Sequence, residues 1–312
     1  MFGLEHPIAQ APMAGVSGGR LAAAVSNAGG LGLVGGGYGD PEWMTPQLSL
    51  AAEEARRPWG VGLITWRASH ELLDFVLGHR PSAVMLSFGD PAPYAAAIEA
   101  AGARLICQVT DLREAEEAAA CGADVIVAQG TEAGGHGGGR STLPLVPAVV
   151  DAVAPVPVLA AGGIADGRGL AAALMLGAHG VLLGTRFYAS HEALGHPRVK
   201  QRLVEATGEQ TERTRVFDAA RGLTWPAAYT GRALRNAFLR RWTGHEDELR
   251  DNQPEQQAFR GAVADGDTET AMVWASEGVD LISGLERAED LVTQIGAEAE
   301  KLLQTAPTRW TH

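Results

Sequence analysis

Eight short apolar segments alternate with helix-like segments over roughly the first two-thirds of the chain, and this alternation limits the fold more than any other feature. The segments are almost continuously apolar, which is typical of parallel strands that are covered on both faces. Eight βα units in about 200 residues predict an α/β fold, a (β/α)8 TIM barrel with a smaller C-terminal helical domain. The predicted strands are residues 7–13, 30–36, 60–65, 83–89, 104–110, 124–130, 156–163 and 180–187.

A doubly wound open sheet is the alternative architecture for such a pattern. It normally carries a G-x-G-x-x-G turn after an early strand, followed by an acidic residue at a fixed distance. In this sequence, no G-x-G-x-x-G follows an early strand with an acidic residue at that distance. The barrel is therefore favoured, and its active site is expected on the loops that follow the carboxyl ends of the strands.

The βα rhythm ends near residue 208, where the sequence becomes richer in Arg, Thr and Trp. We expect three parts: a barrel over 1–208, a helical annex over 209–275, and a C-terminal helix within 276–312 that packs back on the barrel. The last helix is predicted because its apolar residues recur at helical spacing on one face. These residues are Ala288, Leu291, Val292, Ile295, Ala299 and Leu302.

The chain of 312 residues carries a net charge of −12, which disfavours nucleic acid or an anionic membrane as a partner and leaves a small molecule as the expected ligand. Its histidines and two cysteines show no metal-ligand or redox spacing, so we expect no metal. The segment MFGLEHPIAQAPMAG lacks the basic and apolar regions of a secretion signal, and no apolar run is long enough to span a membrane. The protein is therefore expected to be cytoplasmic.

Glycines follow the last two predicted strands. The sequence AAGGIADG (160–167) contains Gly162 and Gly163, and LGTRF (183–187) contains Gly184 and Thr185. In a barrel, the loops after strands 7 and 8 form the usual phosphate site, where backbone N–H groups point at the anion. A tight βα turn also needs glycine for purely structural reasons, but both loops together favour a phosphate-bearing cofactor or substrate.

Two other strand ends carry candidate residues. After strand 1, Ala11, Pro12 and Met13 are suited to contact an aromatic ring, although packing alone explains them equally well. After strand 6, Gln129 is followed by the glycine-rich loop TEAGGHGGGR (131–140), which contains His136. An imidazole titrates near neutrality, so His136 is a candidate for proton transfer or substrate contact. Glu132 could orient it, but an exposed loop carboxylate is the simpler interpretation.

The sequence lacks the H-E-x-x-H and Walker A motifs, so zinc-peptidase and P-loop nucleotidase functions have no support. A phosphate site combined with one acid–base residue is most simply served by a cofactor that carries the redox chemistry itself.

The segments QAPMAG (10–15), AQGTEAGGHGG (128–138), AAGGIADG (160–167) and LLGTRF (182–187) together resemble the nitronate monooxygenase family of FMN-dependent barrels. The related flavin-dependent enoyl-acyl-carrier-protein reductases share nearly the same motifs. The resemblance extends into the annex at GRALRNAFLRRW (231–242) and VWASEGVDLI (273–282).

The resemblance implies a role for each matching residue. The FMN phosphate would be bound by Gly162, Gly163, Gly184 and Thr185. Contacts with the isoalloxazine would come from Ala11, Pro12, Met13, Gln108 and Gln129, while Gly134 and Gly135 would lie against the flavin and place His136 over its reactive face. The sequence departs from the family at Gly62, where many members carry an Asn. The hydrogen bond that this Asn makes with the flavin must come from elsewhere in this chain or be absent.

Three functions follow as hypotheses. The first is FMN-dependent oxidation of alkyl nitronates, such as propionate 3-nitronate, with O2 through a flavin semiquinone; His136 would stabilise the anion or remove the α-proton of a neutral nitroalkane. The second is an NAD(P)H-dependent flavin reductase acting on an enoyl thioester. The third is a barrel that has lost its cofactor and serves as a binding protein. The oligomeric state stays open, a homo-oligomer included.

Overall fold

The computed structural model describes residues 1–306, and the end of the predicted 276–312 segment, residues 307–312, lies outside the described residues. Eight parallel strands form the central sheet in the order β1-β9-β8-β6-β5-β4-β3-β2. These strands are β1 (Ile8–Gln10), β2 (Gly32–Gly37), β3 (Trp59–Ile64), β4 (Ala83–Ser87), β5 (Arg104–Val109), β6 (Val125–Gln129), β8 (Val158–Ala161) and β9 (Gly180–Leu183). The strand β7 (Gly135–Gly137) belongs to a second sheet.

The sheet closes between its two edge strands. Ala9 of β1 bridges Leu31, which directly precedes β2. The amide of Gln10 donates to the Leu31 carbonyl at 2.9 Å, and the Leu31 amide donates to the Ile8 carbonyl at 2.9 Å. The predicted TIM barrel is therefore confirmed.

The strands are apolar on both faces because each face packs against a different core. In β4, Ala83 and Met85 point into the barrel and Val84 and Leu86 point out towards the helices. This double burial explains why the strand segments are almost continuously apolar in the sequence.

Helices cover the outside of the barrel, and the C-terminal helix completes the ring. The helix that follows β9 has only four residues, and α14 packs instead against both α7 and α1. The predicted apolar stripe is buried there, since Leu291, Val292 and Ile295 all lie in the main core. The helices of this layer are α1 (Gly19–Asn27), α2 (Pro41–Glu54), α3 (His70–Leu77), α4 (Ala92–Ala100), α5 (Leu112–Ala120), α6 (Thr142–Val153), α7 (Gly167–Met175), α8 (Thr185–Tyr188) and α14 (Ala288–Thr305).

The segment expected to be a helical annex also contains two strands. β10 (Thr211–Thr214) pairs antiparallel with β11 (Thr230–Leu234), and β11 pairs antiparallel with β7 in the loop after β6. These strands were missed because T-E-R-T and T-G-R-A-L show no alternation of apolar and polar residues. The remaining helices are α9 (Pro197–Val204), α10 (Val216–Ala220), α11 (Ala237–Trp242), α12 (Glu246–Arg250) and α13 (Gln253–Asp265), with 3-10 turns at Thr65–Arg67, Gly208–Gln210 and Glu277–Leu281.

The annex has a small core of its own, in which Phe217, Phe238 and Phe259 pack together.

The division of the chain at residues 208 and 275 stays a prediction. Several predicted strands extend too far. The eighth barrel strand stops at Leu183 rather than at 187, because the chain turns at Gly184 into α8, and the first stops at Gln10 rather than at 13. Over residues 1–306, no helix combines the length and apolar character needed to cross a membrane.

Candidate active site

A cavity of about 400 Å³ lies at the carboxyl ends of the barrel strands, within the usual size range of small-molecule sites. The residues proposed from the sequence lie at or after the carboxyl ends of β1, β5, β6, β8 and β9, and the structure brings all of them to the wall of this one cavity. They are Ala11, Pro12, Met13, Gln108, Gln129, Gly134, Gly135, His136, Gly162, Gly163, Gly184 and Thr185.

The turn after β8 exposes backbone donors. Gly162 and Gly163 have φ values of +112° and +70°, a region that L side chains rarely adopt. Neither amide donates to an acceptor within residues 1–306. Adjacent free N–H groups facing a cavity form a suitable cradle for an anion such as a phosphate.

Thr185 lines the cavity and also contacts the segment before the C-terminal helix. Its Oγ1 accepts a hydrogen bond from the Ser276 amide at 3.0 Å. Because a hydroxyl can accept and donate at once, its proton stays available to a ligand oxygen. Thr185 therefore joins the barrel to the segment that leads into the C-terminal helix.

The turn after β1 is held by the buried Ser17. Its hydroxyl donates to the Ala11 carbonyl at 2.9 Å and accepts from the Met13 amide at 3.0 Å. Pro12 explains why position 62 has no side chain: a Cβ on Gly62 would lie 2.1 Å from the Pro12 Cγ. The Pro12 ring occupies the place that an Asn at 62 would need.

Two glutamines connect the barrel to the backbone of His136. Gln108 Nε2 donates to Gln129 Oε1 at 3.1 Å, and Gln129 Nε2 donates to the His136 carbonyl at 3.0 Å. These bonds leave the amide oxygen of Gln108 available on the cavity wall.

The glycine-rich loop is held from the annex by two arginines, the half-buried Arg213 and the buried Arg232. Arg213 donates to the carbonyls of Thr131 and Gly137, and Arg232 donates to the Thr131 carbonyl at 2.9 Å. Burial lowers the pKa of Arg213 to about 10, and the neighbouring Arg232 adds to this effect, so the guanidinium stays charged at neutral pH. Glu132 accepts from the amide and hydroxyl of Thr142; it is bound to the start of α6 rather than to His136.

The imidazole of His136 is surrounded by annex side chains. Its Nε2 lies 3.0 and 2.9 Å from the two carboxylate oxygens of Asp218, whose side chain is 2% exposed. The Trp225 ring stacks on the imidazole at a centroid distance of 3.6 Å and an interplanar angle of 5°. Trp274 lies at 5.2 Å in a tilted orientation. Sequence reasoning missed these three residues, because nothing in their spacing relates them to His136.

Burial is the largest influence on the acidity of His136 and lowers its pKa from 6.5. The hydrogen bond and negative charge of Asp218 oppose this shift, while the positive charges of Arg221 and Arg213 reinforce it. The net lowering means that the imidazole is mainly neutral at pH 7. A neutral imidazole can accept a proton, which is what a general base requires.

The cavity wall beside His136 is aromatic and carries a single strong cation, Arg221, whose guanidinium lies 3.9 Å from the Asp218 carboxylate. Trp225 Nε1 donates to the Tyr38 hydroxyl at 3.1 Å, and the Arg221 guanidinium lies 5.0 Å from the centre of the Tyr38 ring. Within residues 1–306, the lining contains no Asp or Glu, and Arg221 is its only Arg or Lys. The cavity therefore favours a small, partly apolar anion.

The fold and this site define an α/β-barrel enzyme with a small-molecule cavity at the strand ends. The sequence profile of the nitronate monooxygenase family matches residues 1–71 and 64–298. The chain therefore belongs to the nitronate monooxygenase family. It is an oxidoreductase, and its family indicates a flavin as the cofactor.

Individual relatives agree with this assignment. The chain is 37% identical to the nitronate monooxygenase npaC of Metarhizium robertsii, over 95% of this chain and 91% of the relative. Its structure is similar to FabK from Thermotoga maritima, with a TM-score of 0.85, 32% identity, and coverage of 98% and 96% of the two chains. It is also similar to nitroalkane oxidase from Streptomyces ansochromogenes, with a TM-score of 0.84, 29% identity, and coverage of 97% and 98%.

Proposed function

We propose that this protein uses FMN and O2 to oxidise alkyl nitronates, with propionate 3-nitronate as an example of the substrate. The observation that carries the proposal is the position of His136, a buried imidazole beside a cavity that Arg221 and the Gly162–Gly163 turn also line. Family membership and the similarity to a nitroalkane oxidase support the same chemistry.

The residues present suit FMN. The free amides of Gly162 and Gly163, with Gly184 and Thr185 opposite, would hold the phosphate. Apolar contact with the ring would come from Ala11, Pro12 and Met13, whereas Gln108 and Gln129 would offer polar groups to its edge. Gly134 and Gly135 would let the backbone approach the ring closely. Bound FMN would supply the exchange of electrons between the nitronate and O2.

The protein's own side chains would hold the substrate and move its proton. A nitronate is an anion, and the Arg221 guanidinium provides the positive charge that attracts it into the cavity. A neutral nitroalkane must first lose its α-proton, and neutral His136 is placed to accept that proton. The aromatic wall, which includes Trp225 and Tyr38, would exclude water from the reacting atoms.

The decisive experiment is an anaerobic titration of the FMN-loaded protein with a small alkyl nitronate, followed by visible absorbance. A nitronate-dependent change in the flavin bands supports the proposal. A flavin that ignores nitronate but responds to NAD(P)H would favour a reductase acting on an enoyl thioester instead. A protein that stays colourless after FMN is supplied would overturn the cofactor assignment.

The role of His136 is tested by His136→Asn. This variant should keep FMN bound but lose roughly 10²–10⁴-fold in turnover of a neutral nitroalkane, the usual contribution of a positioned base. A matched control is His245→Asn, since His245 lies on the annex surface with its side chain 56% exposed. Unchanged turnover of the neutral nitroalkane in His136→Asn would refute the assignment.

A further inference from the structure

The annex, rather than the barrel, determines the orientation of the His136 ring. Asp218 lies on α10, Trp225 follows in the connection to β11, and β11 pairs directly with β7, with Gly231 opposite His136. The hydrogen-bond acceptor, the stacking partner and the backbone partner of His136 therefore all come from residues 216–234.

The bond to Asp218 determines which ring nitrogen carries the proton. Both carboxylate oxygens lie within 3.0 Å of Nε2, and an ionised carboxylate can only accept. In a neutral imidazole, the single N–H must therefore be on Nε2. The other nitrogen, Nδ1, then holds the lone pair.

Nδ1 is the nitrogen that stays open. It has no hydrogen-bond partner within residues 1–306. It is also not one of the unpartnered polar atoms of that range that are fully buried, so part of its surface is accessible. His136 itself lines the cavity. The lone pair of Nδ1 is therefore accessible to a molecule bound there.

Stacking on Trp225 prevents the ring from exchanging its two nitrogens. The rings lie nearly parallel at 3.6 Å, and the indole is fixed by its own hydrogen bond to the Tyr38 hydroxyl. Rotation of the imidazole about its Cβ–Cγ bond would have to break the Asp218 contact and displace the indole. Asp218 and Trp225 together select one ring orientation.

We propose that Asp218 is a positioning residue that holds His136 in the Nε2–H tautomer, so that Nδ1 is the atom that receives the proton from the substrate's α-carbon. This proposal rests on the proposed function. In the step, the α-C–H bond breaks and its electron pair forms the C=N bond of the nitronate, while the N=O π pair of the nitro group moves onto its oxygen. The proton moves to Nδ1. The resulting imidazolium lies against the Asp218 carboxylate, which stabilises its charge.

The pH dependence follows from the charges around the ring. Asp218 raises the pKa of His136, whereas Arg221 and Arg213 lower it. Removal of the carboxylate charge should therefore move the pKa of His136 further below its ordinary value. The pH at which nitroalkane turnover reaches half of its plateau should then shift downward.

The first test is a measurement of the tautomer that needs neither substrate nor cofactor. In ¹⁵N-histidine NMR of the cofactor-free wild type, His136 should show a protonated Nε2 and an unprotonated Nδ1. In Asp218→Asn, the amide can donate to Nε2, so the proton should move to Nδ1. An Nδ1–H tautomer in the wild type would overturn the proposal. The wild-type spectrum decides the matter even if the variant fails to fold.

The second test compares two substrates. Asp218→Asn should lose roughly 10²–10⁴-fold in turnover of a neutral nitroalkane and much less with the preformed nitronate, which needs no proton transfer. The control is Asp151→Asn, an exposed aspartate on α6. Equal losses with both substrates, or no shift of the pH profile, would indicate a merely structural role. If the wild type oxidises neither substrate, the proposed function fails while the NMR result still tests the tautomer.

Discussion

Gly134→Ala is expected to separate the glycine-rich loop from the C-terminal part of the chain. An added Cβ would lie 2.7 Å from the Ala275 carbonyl carbon, 2.8 Å from the Ser276 amide nitrogen and 3.0 Å from Thr185 Oγ1. Ordinary van der Waals contact begins at 3.4 Å. Two of these atoms belong to the backbone, and the third is held by its bond to the Ser276 amide, so a rotamer change cannot relieve the clash.

The loop must therefore move, and the cost can be estimated. Overpacking a methyl group into a well-packed site typically destabilises a protein by about 1–3 kcal/mol. Gly134 has no left-handed φ, so the effect is steric rather than conformational. Since His136 is two residues away, the same displacement should also weaken its contact with Asp218 and reduce turnover.

The assay is urea unfolding of the wild type, Gly134→Ala and Gly261→Ala. Gly261 lies inside α13, where an added Cβ meets no atom within 4 Å, so the same change there should stabilise the protein by about 0.4–1 kcal/mol. The two substitutions should thus change the free energy of unfolding in opposite directions. If the free energy of unfolding of Gly134→Ala equals that of the wild type, the loop is not held by this contact and the reasoning is refuted.

Three further predictions concern stability. Phe217→Ala removes a fully buried ring from the annex core and should lower the free energy of unfolding by about 3–5 kcal/mol, as measured by urea unfolding. A loss below about 1 kcal/mol would mean that the annex core does not unfold together with the rest of the protein. Ile295→Ala truncates the face of α14 that packs on the barrel and should cost about 2–5 kcal/mol in the same assay. The free energy of unfolding should fall as the pH drops below 6.5, because the folded-state pKa of His136 is lowered and the unfolded chain takes up the proton first; His136→Asn should flatten this dependence, and equal slopes would contradict it.

The barrel and the cavity positions of the proposed cofactor residues were predictable because they depend on local patterns. A strand buried on both faces is apolar at nearly every position, as in β4. A turn that needs a left-handed φ selects glycine, as at Gly162 and Gly163. Since the carboxyl ends of parallel strands meet at one mouth, residues that follow different strands must lie together once the fold is known.

The partners of His136 were not predictable because they depend on pairing between distant segments. Asp218 is 82 positions away from His136 along the chain. The annex is joined to the backbone of His136 by the pairing of β11 with β7, and neither strand shows a period of two in its sequence. The three-residue strand Gly-His-Gly has too few side chains to show a strand pattern in the sequence.

This contrast suggests how activity is divided within the molecule. The barrel ends contribute the backbone cradle and the two glutamines, which a flavin would need in any reaction. The annex contributes Asp218 and Arg221, whose charges shift the pKa of His136 in opposite directions, and Trp225, which stacks on its ring. FabK from Thermotoga maritima and nitroalkane oxidase from Streptomyces ansochromogenes match this chain with TM-scores of 0.85 and 0.84, so the overall fold does not discriminate between such proteins. The choice of substrate should therefore depend on residues 216–234, and exchanging this segment between family members should change the substrate while leaving flavin affinity nearly constant.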